Sequence, residues 1–113
     1  MDNEIKAWLF DILNAIMEID SFFIDTSKEF STYKNDLRTR RAIERNIEII
    51  GEALRKYNSI EGVQKIEDAK KIIGLRNIIA HAYDSVDYAL IWAIIKRDLP
   101  ILKIEVDNII KSS

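Results

Sequence analysis

The chain has 113 residues, a net charge of −2 and no cysteine. Without cysteine it can form no disulfide, thiolate metal site or cysteine nucleophile, and its slightly acidic balance argues against a dedicated nucleic-acid-binding domain, which is usually basic. Charged residues interrupt every apolar run that could span a bilayer, and the first residues lack the basic stretch of a secretion signal. We therefore expect one cytoplasmic domain over residues 1–113, with no membrane association.

Apolar residues at three- and four-residue spacings predict two helices in the first half of the chain. The first is expected over residues 2–20. Thr26 and Glu29 have the spacing of a capping box, so the second, longer helix is expected over residues 27–57. The apolar stripe of the first helix comprises Ile5, Trp8, Leu9, Ile12, Ile16 and Ile19, and that of the second comprises Leu37, Ile43, Ile47, Ile50, Leu54 and Tyr57.

The same periodicity predicts two more helices in the second half. The third is expected over residues 66–82, and Ser85 is suited to cap the fourth. Pro100 should kink this last helix near residues 96–99, because its ring removes a hydrogen bond and clashes with the preceding turn. The stripe of the third helix comprises Ile72, Leu75, Ile79 and Ala82, and that of the fourth comprises Tyr88, Ile91, Trp92, Ile95, Leu99, Leu102, Val106 and Ile109.

Four helices joined by short connections predict an all-α fold, an antiparallel up-and-down four-helix bundle with room for an additional short helix. Trp8 and Trp92 lie on apolar stripes, which places them in the core. The stripes are generous for so small a bundle, and this favours a face for self-association, although exposed apolar residues are common on any protein.

The single histidine, His81, lies near the end of the third predicted helix, in the segment 76–83 with sequence RNIIAHAY. The simplest interpretation is an ordinary residue whose cation suits a helix C-terminus. However, Arg76, His81 and Tyr83 cluster at the end of an otherwise apolar helix, with Asn77 one turn before His81. The cluster therefore indicates a working site, although Tyr83 is equally suited to be a half-buried aromatic cap on the core.

The spacing of Arg76 and His81, R-x4-H, resembles the signature of the HEPN superfamily of helical ribonucleases. Tyr83 extends it to R-x4-H-x-Y, which resembles the HepT toxin branch. Residues 41–53, with sequence RAIERNIEIIGEA, are similar to the long second helix of HepT proteins, and the short segments 86–87 (VD) and 98–100 (DLP) also resemble that branch. The resemblance covers nearly the whole chain and implies a HEPN-like bundle that works as a homodimer.

The resemblance implies a metal-independent endoribonuclease, without a cofactor, in which two chains bring both R-x4-H motifs to one cleft. RNA carries its own nucleophile, the 2′-hydroxyl. His81 would then be the general acid and base, since an imidazole titrates near neutral pH. Arg76 would clamp the phosphate through paired hydrogen bonds, with Asn77 in a supporting role.

The resemblance also implies a partner. In HepT systems an MNT-type nucleotidyltransferase antitoxin attaches AMP to the tyrosine that corresponds to Tyr83. Phosphates added beside Arg76 and His81 would fill the cleft with bulk and negative charge, much as phosphorylation does. Tyr83 is therefore the modification site that the resemblance implies, and the implied function is that of a toxin silenced by AMPylation.

The second predicted helix carries a basic stripe and a glycine. Lys34, Arg38, Arg41 and Arg45 recur at three- and four-residue steps and are candidate contacts for RNA phosphates. A solvated face with surface pairs, such as Glu52 with Arg55, is the interpretation we favour, because charge runs usually form such faces. Gly51 would permit a close helix crossing. The carboxylates are not spaced as metal ligands, and one histidine cannot form a histidine-rich zinc site.

Two functions follow from the sequence. The first is an RNA-cleaving toxin neutralised by a nucleotidyltransferase. The second is a non-catalytic helical adaptor that only binds the nucleotidyltransferase. Non-catalytic HEPN domains often lose the arginine or the histidine of the motif. This chain keeps both Arg76 and His81, which favours the toxin.

Overall fold

The computed structural model describes residues 2–23, 30–67, 69–81 and 87–112, with only the backbone of His81. Within these ranges the protein is all-α and contains no strand. The helices are α1 Asn3–Ser21, α2 Phe30–Asn35, α3 Leu37–Asn58, α4 Ala69–His81, α5 Tyr88–Ala93 and α6 Leu99–Lys111, and a π-helical turn over Ile94–Asp98 joins α5 to α6. No helix in these ranges is both long and apolar enough to cross a bilayer.

The expected helix over residues 27–57 is interrupted, so that prediction is wrong. Asp36 has an extended backbone, with φ −101° and ψ 105°. Its carboxylate accepts hydrogen bonds from the backbone N–H groups of Arg38 and Thr39, at 3.1 and 3.4 Å. Asp36 is thus the N-cap of α3, and the short α2 before it is the additional helix that the sequence allowed. The capping box of Thr26 and Glu29 lies outside the described residues.

The first and third predicted helices are close to their expected bounds. Asp2 caps α1 by accepting a hydrogen bond from the N–H of Glu4 at 2.8 Å. The third helix begins three residues later than predicted, at Ala69. The cause is Asn58, whose side chain forms two 3.0 Å hydrogen bonds to the backbone of Ile66 and thereby holds that residue outside the helix. Ala82 lies outside the described residues.

The fourth helix differs from the prediction at its start and in its middle. Ser85 lies outside the described residues, and Asp87 caps α5 through bonds from the N–H groups of Ala89 and Leu90, at 3.0 and 3.2 Å. Pro100 has no N–H to donate. At the place where the sequence predicts a kink, the helix departs from α-geometry in a π-helical turn, in which the N–H of Leu99 donates to the carbonyl of Ile94. The wider turn buries both Ile94 and Ile95.

The bundle is built around α3. Helix α1 packs against α3 and α6, while α4 packs against α3. Helices α3 and α4 are antiparallel, because Asn58 at the end of α3 contacts Ile66, whereas Gly51, two turns earlier, lies beside Arg76. The predicted stripes form most of the core, which includes Leu9, Ile12, Ile16, Ile19, Ile43, Ile47, Ile50, Leu54, Tyr57, Ile72, Leu75, Ile79, Ile91, Ile95, Leu99, Leu102, Val106 and Ile109.

Several aromatic and apolar residues differ from their predicted burial. Leu37 was expected in the stripe but is 48% exposed at the first position of α3. Tyr33, which the sequence did not single out, is fully buried and stacks on Trp92 with 5.9 Å between ring centroids. Trp8 and Trp92 are partly buried and pack against the core, so they lie at its edge.

Candidate functional site

Arg76 faces a cleft of about 360 Å³ between α1, α3 and α4. Helix α4 buries Ile72, Leu75 and Ile79 against the rest of the bundle. Arg76 follows Leu75, so its side chain emerges beside α3 and remains 30% exposed. The charged residues that line the cleft are Asp11, Arg45, Glu48, Glu52, Lys56 and Arg76, and the apolar ones are Trp8, Ile49 and Ala53. Cations and carboxylates are therefore balanced around the guanidinium of Arg76.

The guanidinium of Arg76 has partners on both terminal nitrogens. One nitrogen donates a hydrogen bond to Oδ1 of Asn77 at 2.9 Å. The other lies 3.4 Å from Oε2 of Glu52. Asn77 thus accepts a hydrogen bond from Arg76 directly, and its supporting role in the reaction stays a prediction. Glu52 was expected only as a surface partner of Arg55, and its second role was missed because nothing local relates α3 to α4.

The stem of Arg76 lies directly against the backbone of α3. A Cβ atom built on Gly51 would lie 2.5 Å from Cβ of Arg76 and 2.9 Å from its Cγ. Both distances are shorter than any ordinary carbon contact. The predicted close helix crossing at Gly51 is thus confirmed, and the residue it accommodates is the arginine of the motif.

Glu52 links Arg55 to Arg76. Its Oε1 accepts a hydrogen bond from Arg55 at 2.6 Å, and its Oε2 accepts a second at 3.3 Å. The pKa of Glu52 lies below its ordinary value, first because of the hydrogen bond from Arg55 and then because of the positive charges of Arg55, Arg76 and Lys56. Glu52 is therefore ionised at neutral pH and is a fixed negative charge beside the Arg76 cation.

His81 is the last residue of α4. Helix geometry places its Cα about 7.5 Å along the axis from that of Arg76 and about 140° around it. The Cα positions of the two motif residues therefore lie on different sides of the same helix end, whereas those of Asn77 and His81 are one turn apart on one side. Tyr83 lies outside the described residues, as does the predicted turn at Ala82.

The four basic residues proposed for RNA do not form one stripe. All four are exposed, but the break at Asp36 places Lys34 on α2 and the others on α3. Only Arg45 lines the cleft with Arg76. Arg40 lies between Arg38 and Arg41 in the chain but was not among the predicted RNA contacts. It turns inward, donates to the carbonyl of Lys34 at 2.7 Å and covers the Tyr88 ring at 4.7 Å.

Within the described ranges, Asp and Glu side chains do not gather in threes as metal ligands would. The cations that line the cleft are the guanidinium groups of Arg45 and Arg76 and the ammonium of Lys56. Such cations bind anions and position a phosphate by hydrogen bonding, whereas the carboxylates of the cleft repel one.

An all-α bundle whose fourth helix carries the R-x4-H sequence, with its arginine at a polar cleft, defines the class as a ribonuclease fold of the HEPN superfamily. The family model described as "Ribonuclease HepT-like" matches residues 12–109, a range that includes Arg76, His81 and Tyr83. The chain belongs to the HepT-like ribonuclease family.

Relatives from several organisms agree with this assignment. A candidate RNase of Methanocaldococcus jannaschii is 38% identical over 106 residues, which cover 92% of this chain and 94% of the relative. A candidate ribonuclease HepT of Thermococcus cleftensis is 32% identical over 99 residues, 87% of this chain and 88% of its own. A candidate RNase of Caldanaerobacter subterraneus is 32% identical over 103 residues, with 88% and 91% covered. No solved structure matches the chain significantly.

Proposed function

We propose that this chain is the toxin of a toxin–antitoxin pair, a metal-independent endoribonuclease that acts in the cytoplasm. The observation that carries the proposal is the placement of Arg76. Its guanidinium is held in a polar cleft by Asn77 and Glu52, on the helix that ends at His81, in a chain of the HepT-like ribonuclease family. The family supports RNA as the substrate class, and the site supports phosphate chemistry.

The proposed reaction uses the nucleophile that RNA itself carries. The imidazole of His81 accepts the 2′-hydroxyl proton while the 2′-oxygen attacks the adjacent phosphorus. The bond from phosphorus to the 5′-oxygen breaks, and that oxygen takes a proton from a second imidazole. The products are a 2′,3′-cyclic phosphate and a 5′-hydroxyl. Arg76 donates hydrogen bonds to the phosphate oxygens and stabilises the charge that develops on them.

Two copies of the chain supply the required proton acceptor, proton donor and phosphate-binding arginine better than one copy does. Each chain has a single histidine, whereas the reaction uses a proton acceptor and a proton donor. Within one α4 helix, the Cα positions of Arg76 and His81 also lie about 140° apart around the helix axis. We therefore propose a homodimer whose two R-x4-H motifs share one composite cleft, so that the arginine of one copy faces the histidine of the other.

Arg45 is the basic residue best placed to extend the phosphate contact, because it lines the same cleft as Arg76. Lys34, Arg38 and Arg41 are exposed further along α2 and α3, where they are proposed to contact the RNA strand as it leaves the cleft. Their contribution would be electrostatic and independent of RNA sequence.

Cleavage of a fluorescent single-stranded RNA by the purified chain tests the proposal. We expect cleavage that persists in EDTA and falls by about 100- to 10,000-fold in His81→Ala, the range that general acid–base catalysis contributes. The helical circular dichroism of the variant should equal that of the wild type. Cleavage that stops in EDTA, or survives His81→Ala, contradicts the mechanism. A chain that binds the nucleotidyltransferase but never cleaves RNA would be the adaptor.

Tyr83 is proposed as the residue that the partner nucleotidyltransferase modifies with AMP. Its position two residues after His81 brings any adduct to the site, where the added phosphate competes with RNA for Arg76. Co-expression with the nucleotidyltransferase should add the mass of AMP to the wild type and to Tyr88→Phe, the matched control. Tyr83→Phe should remain unmodified and toxic. Modification of Tyr83→Phe would place the target elsewhere, and an inert Tyr83→Phe would make the phenol part of the catalytic apparatus.

A further inference from the structure

Two helical glycines of the chain have opposite surroundings. Gly51 in α3 is buried, and a Cβ there would lie 2.5 Å from Cβ of Arg76 and 3.5 Å from the carbonyl of Ile72. Gly74 in α4 has nothing within 4 Å of the same position. Glycine in a helix interior is less stable than alanine. At Gly51 the space left by the missing side chain is occupied by the stem of Arg76, whereas no atom of the described residues occupies the corresponding space at Gly74.

The residue after Gly51 controls the other end of Arg76. The carboxylate of Glu52 is itself anchored by two hydrogen bonds from Arg55, at 2.6 and 3.3 Å. From that anchored position its Oε2 lies 3.4 Å from the terminal nitrogen of Arg76. The side chains of Glu52 and Arg76 are each about one-third exposed, at 31% and 30%, so the pair opens to the cleft. The stem and the guanidinium of Arg76 are thus both held by consecutive residues of α3.

We propose that Gly51 and Glu52 are positioning residues that hold the guanidinium of Arg76 ready for an RNA phosphate before the substrate binds. The proposal rests on the proposed function, in which Arg76 contacts the phosphate. A long, flexible arginine that is already oriented loses little freedom when RNA binds, and its charge is in place as the transition state forms. Glu52 itself touches no substrate.

A merely structural role for Glu52 would have a different signature. Exposed ion pairs contribute little to stability, so the loss of Glu52 should leave the fold intact. The carboxylate also opposes RNA binding by its charge, which means that its removal should not weaken binding. Positioning therefore predicts a split in the kinetic constants, with a lower kcat and a KM that is unchanged or lower.

Glu52→Gln and Glu48→Gln form the matched pair that tests this split. Glu48 lies one turn earlier on the same wall of the cleft but outside the ion pair with Arg76. Both variants remove one negative charge, so any change in KM should be shared. We expect kcat to fall about tenfold in Glu52→Gln only, since a misplaced catalytic contact costs one to two orders of magnitude. Glu52→Asp should recover part of the loss. An equal kcat for the two Gln variants overturns the role of Glu52.

Gly51→Ala and Gly74→Ala form the second matched pair. Both replace a helical glycine by alanine, which favours the helix in the same way. In Gly51→Ala the new methyl must displace Cβ of Arg76, so kcat should fall about tenfold or more. Gly74→Ala should stay within about twofold of wild type. Wild-type kcat in a folded Gly51→Ala would overturn the role of Gly51. If Gly51→Ala does not fold, its clash is structural and the role of Gly51 in positioning is abandoned.

A spectroscopic measurement separates the failure of this inference from the failure of the proposed function. Nuclear magnetic resonance of the arginine Nε–H groups reports the mobility of each guanidinium, and the Arg76 signal is identified by its loss in Arg76→Lys. We expect a restrained Arg76 group in the RNA-free wild type and in Glu48→Gln, and a mobile one in Glu52→Gln. If the wild type cleaves no RNA but this pattern appears, the proposed function fails and the positioning stands. Equal mobility in all three proteins overturns the positioning.

Discussion

Two of the open surfaces on the described part of the bundle differ in kind. The cleft beside Arg76 is lined by charged side chains of both signs that bond to one another across α3 and α4. The groove between α1 and α6, of about 520 Å³, is lined mainly by apolar side chains, and Met17 and Ile104 on it are 56% and 65% exposed. Space alone therefore does not locate the site. The smaller cleft has polar groups that hydrogen bonds and ion pairs hold in place, and such groups can orient a ligand. The larger groove offers mainly apolar surface, which orients a ligand less.

The largest effect that separates these surfaces should come from the floor of the groove. Ile16 lines it but is 1% exposed, so Ile16→Ala should lower the free energy of unfolding by about 2–5 kcal/mol. Ile104→Ala on the rim should change it by less than about 0.5 kcal/mol. Urea unfolding followed by circular dichroism measures both. Similar losses would mean that another surface covers the rim in solution.

The next effect concerns the cations of the two surfaces. Arg76→Gln removes the charge and the paired donors from the cleft, and RNA cleavage should fall about 100-fold, as when one donor to a developing negative charge is lost. Lys103→Gln removes a cation from the groove and should leave cleavage within about twofold. Single-turnover cleavage of a labelled RNA compares them. Equal losses in the two variants would remove the functional distinction between cleft and groove.

The smallest effect is a shift in the titration of Glu52. The hydrogen bond from Arg55 is the main cause of its lowered pKa, so Arg55→Gln should raise that pKa toward the ordinary value of a glutamate. Because the ionised form is favoured in the folded protein, the stability it contributes is present above the ordinary pKa and is lost as the pH falls through the lowered one. The carboxyl carbon signal of Glu52, followed by magnetic resonance against pH, measures the shift. A pKa that does not change in Arg55→Gln would assign the lowering to Arg76 and Lys56.

Helix class and core were predictable because they depend on local periodicity. The stripes at three- and four-residue spacing in α1, α3 and the last helical segment are buried as expected. The bounds of the helices were less predictable, because more than one residue in a segment can act as the N-cap of a helix. The sequence suggested Thr26 as the start of one long helix, whereas the carboxylate of Asp36 starts α3 anew. Leu37 is then the first residue of a new helix and is exposed to solvent. An apolar stripe drawn through one continuous helix predicts that it is buried.

The sequence by itself determined an all-helical chain and the motif formed by Arg76, His81 and Tyr83, because hydrophobic periodicity and residue spacing are properties of one segment at a time. It also indicated a close helix crossing at Gly51, since a helical glycine far from a cap usually has a packing reason. Only the tertiary structure decided which residue crosses there. The antiparallel packing of α3 and α4 sets Gly51 and Glu52 against Arg76, 25 and 24 positions away in the chain, and no local pattern relates residues across that distance.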